Sequence, residues 1–123
     1  MKTNEKPKKF DLEERTFRFA DETRQLIRSL PKNSVEPGDR DQLSRSSGLV
    51  AANYMEANEA LSAKDFIMRI KICRKEARES QLWLKLLKNQ TELIFQNEIT
   101  KLSDEANQLV KIFNSIVFKF KDK

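Results

Sequence analysis

The sequence predicts an all-α fold, an antiparallel up-down-up-down four-helix bundle, and three observations carry that expectation. Apolar and small residues recur at alternating four- and three-residue steps, with Phe66, Ile70, Cys73, Ala77, Ser80, Leu84 and Leu87 tracing one stripe. That spacing keeps side chains on a single face of an α-helix. Only 2 glycines and 3 prolines fall among 123 residues, and charged residues make up 35% of the chain against 38% hydrophobic. Such a balance suits long solvated helices rather than sheets with many turns. No segment shows the alternating β-branched pattern of a strand. The length fits one domain able to bury its own core without metal or disulfide staples.

In chain order, residues 1 to about 10 read as a disordered basic lead-in. Asp11 suits an N-cap, with Glu13 and Glu14 in a first turn where the helix dipole favours acids. Leu12, Thr16, Phe19, Thr23, Leu26, Ile27 and Leu30 then mark a helix over about 11–30. Pro31 ends it, because a residue before proline is pushed out of helical angles. Residues 31–38 hold most of the breakers and form the first loop. A second helix over about 39–60 presents Leu43, Ser47, Val50, Tyr54 and Ala57, with small Ser46, Ala51 and Ala52 alongside to let a neighbour approach. Gly48 inside it costs about 1 kcal/mol against alanine, which implies a packing reason. Ser62 three residues before Asp65 signals the start of a third helix over about 63–88, joined by a short turn and so antiparallel to the second. Asn89 to Thr91 read as loop and Leu93-Ile94-Phe95 as a short docked turn. Asn97 is a candidate cap for a fourth helix over about 97–120, whose stripe is Ile99, Leu102, Ala106, Leu109, Phe113, Ile116 and Phe120; residues 121–123 are a tail.

Helix three divides into three stripes at about 100° per residue. Beside its core stripe, one flank is a basic edge of Lys71, Arg74, Arg78, Gln81, Lys85 and Lys88. A solvated bundle face and a phosphate-tracking surface both have this composition. Lys71, Arg74, Arg78 and Lys85 are the candidate nucleic-acid contacts, with Arg45 on helix two as a weaker one. No aromatics interleave with them, so binding would be electrostatic and shape-based rather than by base stacking. The other flank carries Arg69, Ile72, Glu76, Glu79, Trp83 and Leu86. Trp83 either widens the core or, with Ile72, Glu76, Glu79 and Leu86, forms a contact to another subunit, where aromatics are enriched.

Much chemistry is excluded. The chain has no histidine, which removes the usual general base, the Ser-His and Cys-His nucleophile pairs and most zinc sites. Glu56, Glu59, Glu76 and Glu79 at helical spacing need no metal, and two glycines cannot build a phosphate loop. The expectation is a non-enzymatic protein with no cofactor and no catalytic or metal residues. Cys73, the one cysteine, reads as a small buried apolar residue, and its solitude fits a reducing cytoplasm. Neither a secretory signal nor an apolar run long enough to span a bilayer is visible, so no membrane association is expected. Lys plus Arg exceed Asp plus Glu by 24 to 19, giving +5. That excess is compatible with nucleic acid without being diagnostic, because part of it lies in tail lysines.

Several segments together resemble the four helix bundle proteins of the 23S ribosomal RNA intervening-sequence family. They are Asp11-Leu12-Glu13-Glu14-Arg15-Thr16, Leu30-Pro31-Lys32-Asn33, Gln42-Leu43-Ser44-Arg45-Ser46, Ala51 to Ala57, Ser62 to Phe66, and Ile72 to Ser80 with Trp83-Leu84. The resemblance spans about residues 10–120. It implies a bacterial cytoplasmic four-helix bundle that assembles as a ring-like homopentamer. In related accessory proteins of diversity-generating retroelements, a basic surface engages nucleic acid and a reverse transcriptase. It implies no catalytic residue. Two readings of function follow: a homo-oligomer whose basic surface binds RNA or DNA, or an adaptor that docks an acidic partner protein, such as a reverse transcriptase, without nucleic acid. The apolar Leu93-Ile94-Phe95 loop and the Val117, Phe118, Phe120 tail depart from the family pattern.

Overall fold

The computed structural model describes residues 8–121. It contains four α-helices, α1 Lys8–Ser29, α2 Pro37–Asn58, α3 Ala63–Gln90 and α4 Gln96–Lys121, with short 3-10 turns at Lys32–Ser34 and Leu93–Phe95 and no strand among the described residues. Each helix packs against its neighbours in sequence, and α1 also meets α4, so the four form a bundle. Register follows from side-chain pairs. Ser46 meets Ser80 while Asn53 meets Arg69, so α2 and α3 run antiparallel.

The core follows the stripes expected from the spacing, except that Phe66 and Phe120 pack on each other at the end of the bundle with Phe120 41% exposed, Ile116 is only half-buried, and Val110 and Val117 are buried on α4. Phe19, Leu43, Ile70, Leu84, Leu87, Ile99, Leu109 and Phe113 are fully buried, as are Thr16, Thr23, Cys73 and Ser80. Small residues bring α2 and α3 close. The buried Ser46 and Ser80 hydroxyls lie 2.8 Å apart, and the Cys73 thiol reaches the Val50 carbonyl at 3.6 Å. Burial pushes the Cys73 thiol up to about 12, so it stays a neutral apolar filler.

Helix boundaries shift from the expected ones for identifiable reasons. α1 is already helical at Lys8, the first described residue, so Asp11 lies inside the helix and is not its N-cap; residues 1–7 of the expected lead-in, like 122–123 of the tail, lie outside the described residues. α2 begins at Pro37, because proline in a first turn lacks only an amide that would be unbonded there anyway. α3 does start with the expected cap, the Asp65 amide donating to the Ser62 hydroxyl at 3.0 Å. It runs on to Gln90, whose carboxamide accepts from the Glu36 amide at 2.8 Å and donates to Asp39 at 2.8 Å, anchoring the end of α3 to the start of α2. The docked turn at Leu93–Phe95 is present. Only Phe95 packs on the core, leaving Leu93 86% and Ile94 77% exposed. That turn runs directly into α4 at Gln96, so Asn97 is helical and not a cap.

Candidate nucleic-acid interface and subunit face

The basic edge of α3 lies against α4. Arg74 donates through Nη1 to the Asn114 carboxamide at 2.9 Å. Farther along, Gln81, Lys85 and Lys88 share a depression of about 490 Å³ with Thr100, Ser103 and Asp104. Lys71, Arg78, Lys85 and Lys88 are exposed, and Arg74 is half-buried by its hydrogen bond. From Lys71 to Lys88 the edge extends roughly 26 Å at 1.5 Å per residue.

The facing wall escaped the sequence reading. Thr100, Ser103, Asn107, Lys111 and Asn114 recur on α4 at three- and four-residue steps, about a quarter turn from the core stripe. Thr100, Ser103 and Asn114 are placed in the groove by the contacts above, and helical phase puts Asn107 and Lys111 with them. Hydroxyl, amide and ammonium groups are the side chains that bind phosphate and sugar oxygens. Asp104 is the one carboxylate lining the described depression. The signal for this wall was available: a polar stripe without acids along one side of α4.

Arg45 stands apart. It is exposed on α2, and α2 packs on the opposite flank of α3, as the bond from Arg69 Nη1 to Asn53 Oδ1 at 3.1 Å shows. The structure therefore brings Lys71, Arg74, Arg78 and Lys85 together and leaves Arg45 with the other set.

That other set is Ile72, Glu76, Glu79, Trp83 and Leu86. Ile72, Glu79 and Trp83 are half-buried and Leu86 is at the surface, and Trp83 packs partly on the core. Glu76 is the unexpected member. Its side chain is only 5% exposed, with one carboxylate oxygen 3.4 Å from the Lys75 ammonium. The other oxygen, and the Trp83 indole nitrogen seven residues on, are buried without a hydrogen-bond partner among the described residues. Each such group costs on the order of 1–3 kcal/mol when left unsatisfied.

Of the remaining clefts, one of about 270 Å³ is apolar and lies at the bundle's end among Leu12, Tyr54, Phe66, Ile116 and Phe120, and the others are on the α1–α4 side. A depression of about 620 Å³ is lined by Glu14, Arg18, Glu22, Lys101, Asp104 and Gln108 among others, and is bridged by a bidentate pair from Arg15 to Glu105 at 2.9 and 3.0 Å. Its charges are mixed. No cluster of three or more potential metal ligands occurs among the described residues, and no helix there is long and apolar enough to cross a membrane.

The comparisons agree with this architecture. A family model described as 23S rRNA-intervening sequence protein matches residues 8–115. A crystal structure of a protein with unknown function from the S23 ribosomal protein family, from Bacteroides thetaiotaomicron, is similar at 30% identity and a TM-score of 0.77, covering 86% of this chain and 97% of that one. No curated protein matches.

Proposed function

The chain belongs to the 23S rRNA-intervening sequence protein family, and on that basis we propose that it is a non-enzymatic, cytoplasmic, homo-oligomeric bundle that binds RNA or DNA through the α3–α4 groove. The observation that carries the reading is the pairing of two unlike walls: cations Lys71, Arg74, Arg78 and Lys85 on α3, and neutral donors with Lys111 on α4. A charged bundle face that is merely solvated has no need for a neighbouring stripe almost free of acids. Neutralising phosphates with such a row releases counterions and makes affinity strongly salt-dependent.

The assembly reading rests on the opposite flank of α3. A second copy packed over Ile72, Glu79, Trp83 and Leu86 would offer partners to the Glu76 oxygen and the Trp83 indole N–H. A ring-like homopentamer is the assembly implied by the family resemblance.

Fluorescence anisotropy with labelled RNA hairpins and duplex DNA tests the binding reading. Saturable binding that weakens steeply with salt is expected; its absence even at low salt contradicts the proposal. The alternative, docking of an acidic partner protein such as a reverse transcriptase, draws on Leu82, 49% exposed among the basic residues. It becomes the better reading if nucleic acid does not bind.

A further inference from the structure

We infer that the α3–α4 groove takes double-stranded nucleic acid, held along one backbone rail, in preference to a single strand. The inference rests on the nucleic-acid reading above and adds the form of the ligand. Proteins that hold single strands without sequence preference combine a cationic groove with aromatic platforms on which successive bases stack. This groove has the first element and lacks the second. Between Arg74 and Lys88 no aromatic side chain stands on either wall; Phe118, 68% exposed, falls beyond the Arg74–Asn114 pair at the Lys71 end of the groove, and Trp83 is on the opposite flank of α3. A single strand would therefore contribute phosphate contacts alone and would also lose conformational freedom on being straightened along two rigid helices.

A duplex needs no straightening over roughly 26 Å, since its stiffness persists far beyond that length. Its backbone offers a fixed row of phosphates to the exposed Lys71, Arg78, Lys85, Lys88 and Lys111. Thr100, Ser103 and Asn107 lie beside that row, where they meet remaining phosphate or sugar oxygens. Those contacts carry no base information, so binding follows form rather than sequence.

The test measures binding of the full chain to RNA and DNA duplexes of about 20 base pairs and to their separated strands, over a salt series, with the slope of log affinity against log salt. Phosphates neutralised by those five cations and by Arg74 give a slope of about −5 to −6 on a duplex, and the duplex is expected to bind at least about tenfold tighter than either strand. The RNA and DNA arms show which duplex is preferred. In Phe118→Ala, duplex affinity is expected to stay within about twofold, as stacking is no part of the contact. Equal or tighter binding of single strands overturns the inference while leaving the proposed function standing, and so does a loss of duplex affinity in Phe118→Ala. Failure of every probe to bind overturns both.

Discussion

Arg74 and Asn114 join the two walls of the basic groove, the guanidinium Nη1 donating to the carboxamide oxygen at 2.9 Å. The bond holds one of the six polar residues of the α3 edge in place and leaves its remaining N–H groups for an incoming phosphate. Asn114→Ala should free Arg74 without changing net charge. Affinity for nucleic acid is expected to fall only about two- to fivefold through lost pre-organisation, whereas Arg74→Ala removes a charge and lowers the salt slope by nearly one unit. Salt-dependent anisotropy on the two variants separates these effects.

Ser46 and Ser80 define how closely α2 and α3 approach. Ser80→Ala should cost on the order of 1 kcal/mol, because the buried Ser46 hydroxyl keeps only a long contact to the Leu43 carbonyl at 3.4 Å. The double change Ser46→Ala with Ser80→Ala is expected to cost less than the sum of the singles, since neither leaves an orphan behind. Ser80→Leu should be worse than either, by about 1–3 kcal/mol or more of overpacking. Urea unfolding of the set measures this.

Gly48 admits the Arg24 guanidinium, which lies 2.7 Å from where a Cβ would stand. Its bonds there are long, 3.4 Å to the Ser47 hydroxyl and 3.3 Å to the Ala20 carbonyl. A flexible side-chain end can move aside, so Gly48→Ala is expected to stabilise the protein by up to about 1 kcal/mol through helix propensity. Thermal unfolding should show a higher midpoint. A lower one would mean that Arg24 is held more tightly than its distances indicate.

Alkaline stability should be limited by buried acids. Burial raises the pKa of both the Cys73 thiol, to about 12, and the Tyr54 hydroxyl. The fold favours their neutral forms, so this contribution is fully present below the unfolded thiol value near 9 and is lost as pH rises from there towards 12. Cys73→Ala should flatten the stability profile above pH 9, and Cys73 in the native protein should resist thiol reagents until conditions unfold it.

The subunit face makes a separate prediction. Leu86→Glu should release protomers, because it sets a charge beside Trp83 and Glu79 on that flank, whereas Leu82→Glu, outside that stripe, should leave the assembly intact. Light scattering coupled to size exclusion reads the mass. A wild-type protein that is monomeric at high concentration contradicts the assembly.

The core was legible in the sequence because helical period alone sorts residues like Phe19, Leu43, Ile70 and Phe113 to one side. The basic edge was legible for the same reason. That Arg45 lies apart from this edge was not legible, because period places residues around one helix but does not say which neighbour each flank faces; the Asn53–Arg69 and Arg74–Asn114 pairs supply that. The α4 wall was missed because hydroxyl and amide side chains on a helix look like ordinary surface until a row of cations stands opposite. Glu76 was readable as a flank residue, yet its burial depends on how far α2 leans over α3, which no spacing encodes.

The most direct test compares two variants of identical net charge. Arg78→Glu with Lys85→Glu reverses two cations of the groove, and Arg18→Glu with Lys101→Glu reverses two cations of the α1–α4 cleft. With both folded and assembled as the wild type, the groove assignment predicts that the first loses nucleic-acid affinity by about a hundredfold or more at low salt while the second stays within a few-fold. Equal losses in the two would show that binding follows overall charge, and would contradict the α3–α4 groove as the site.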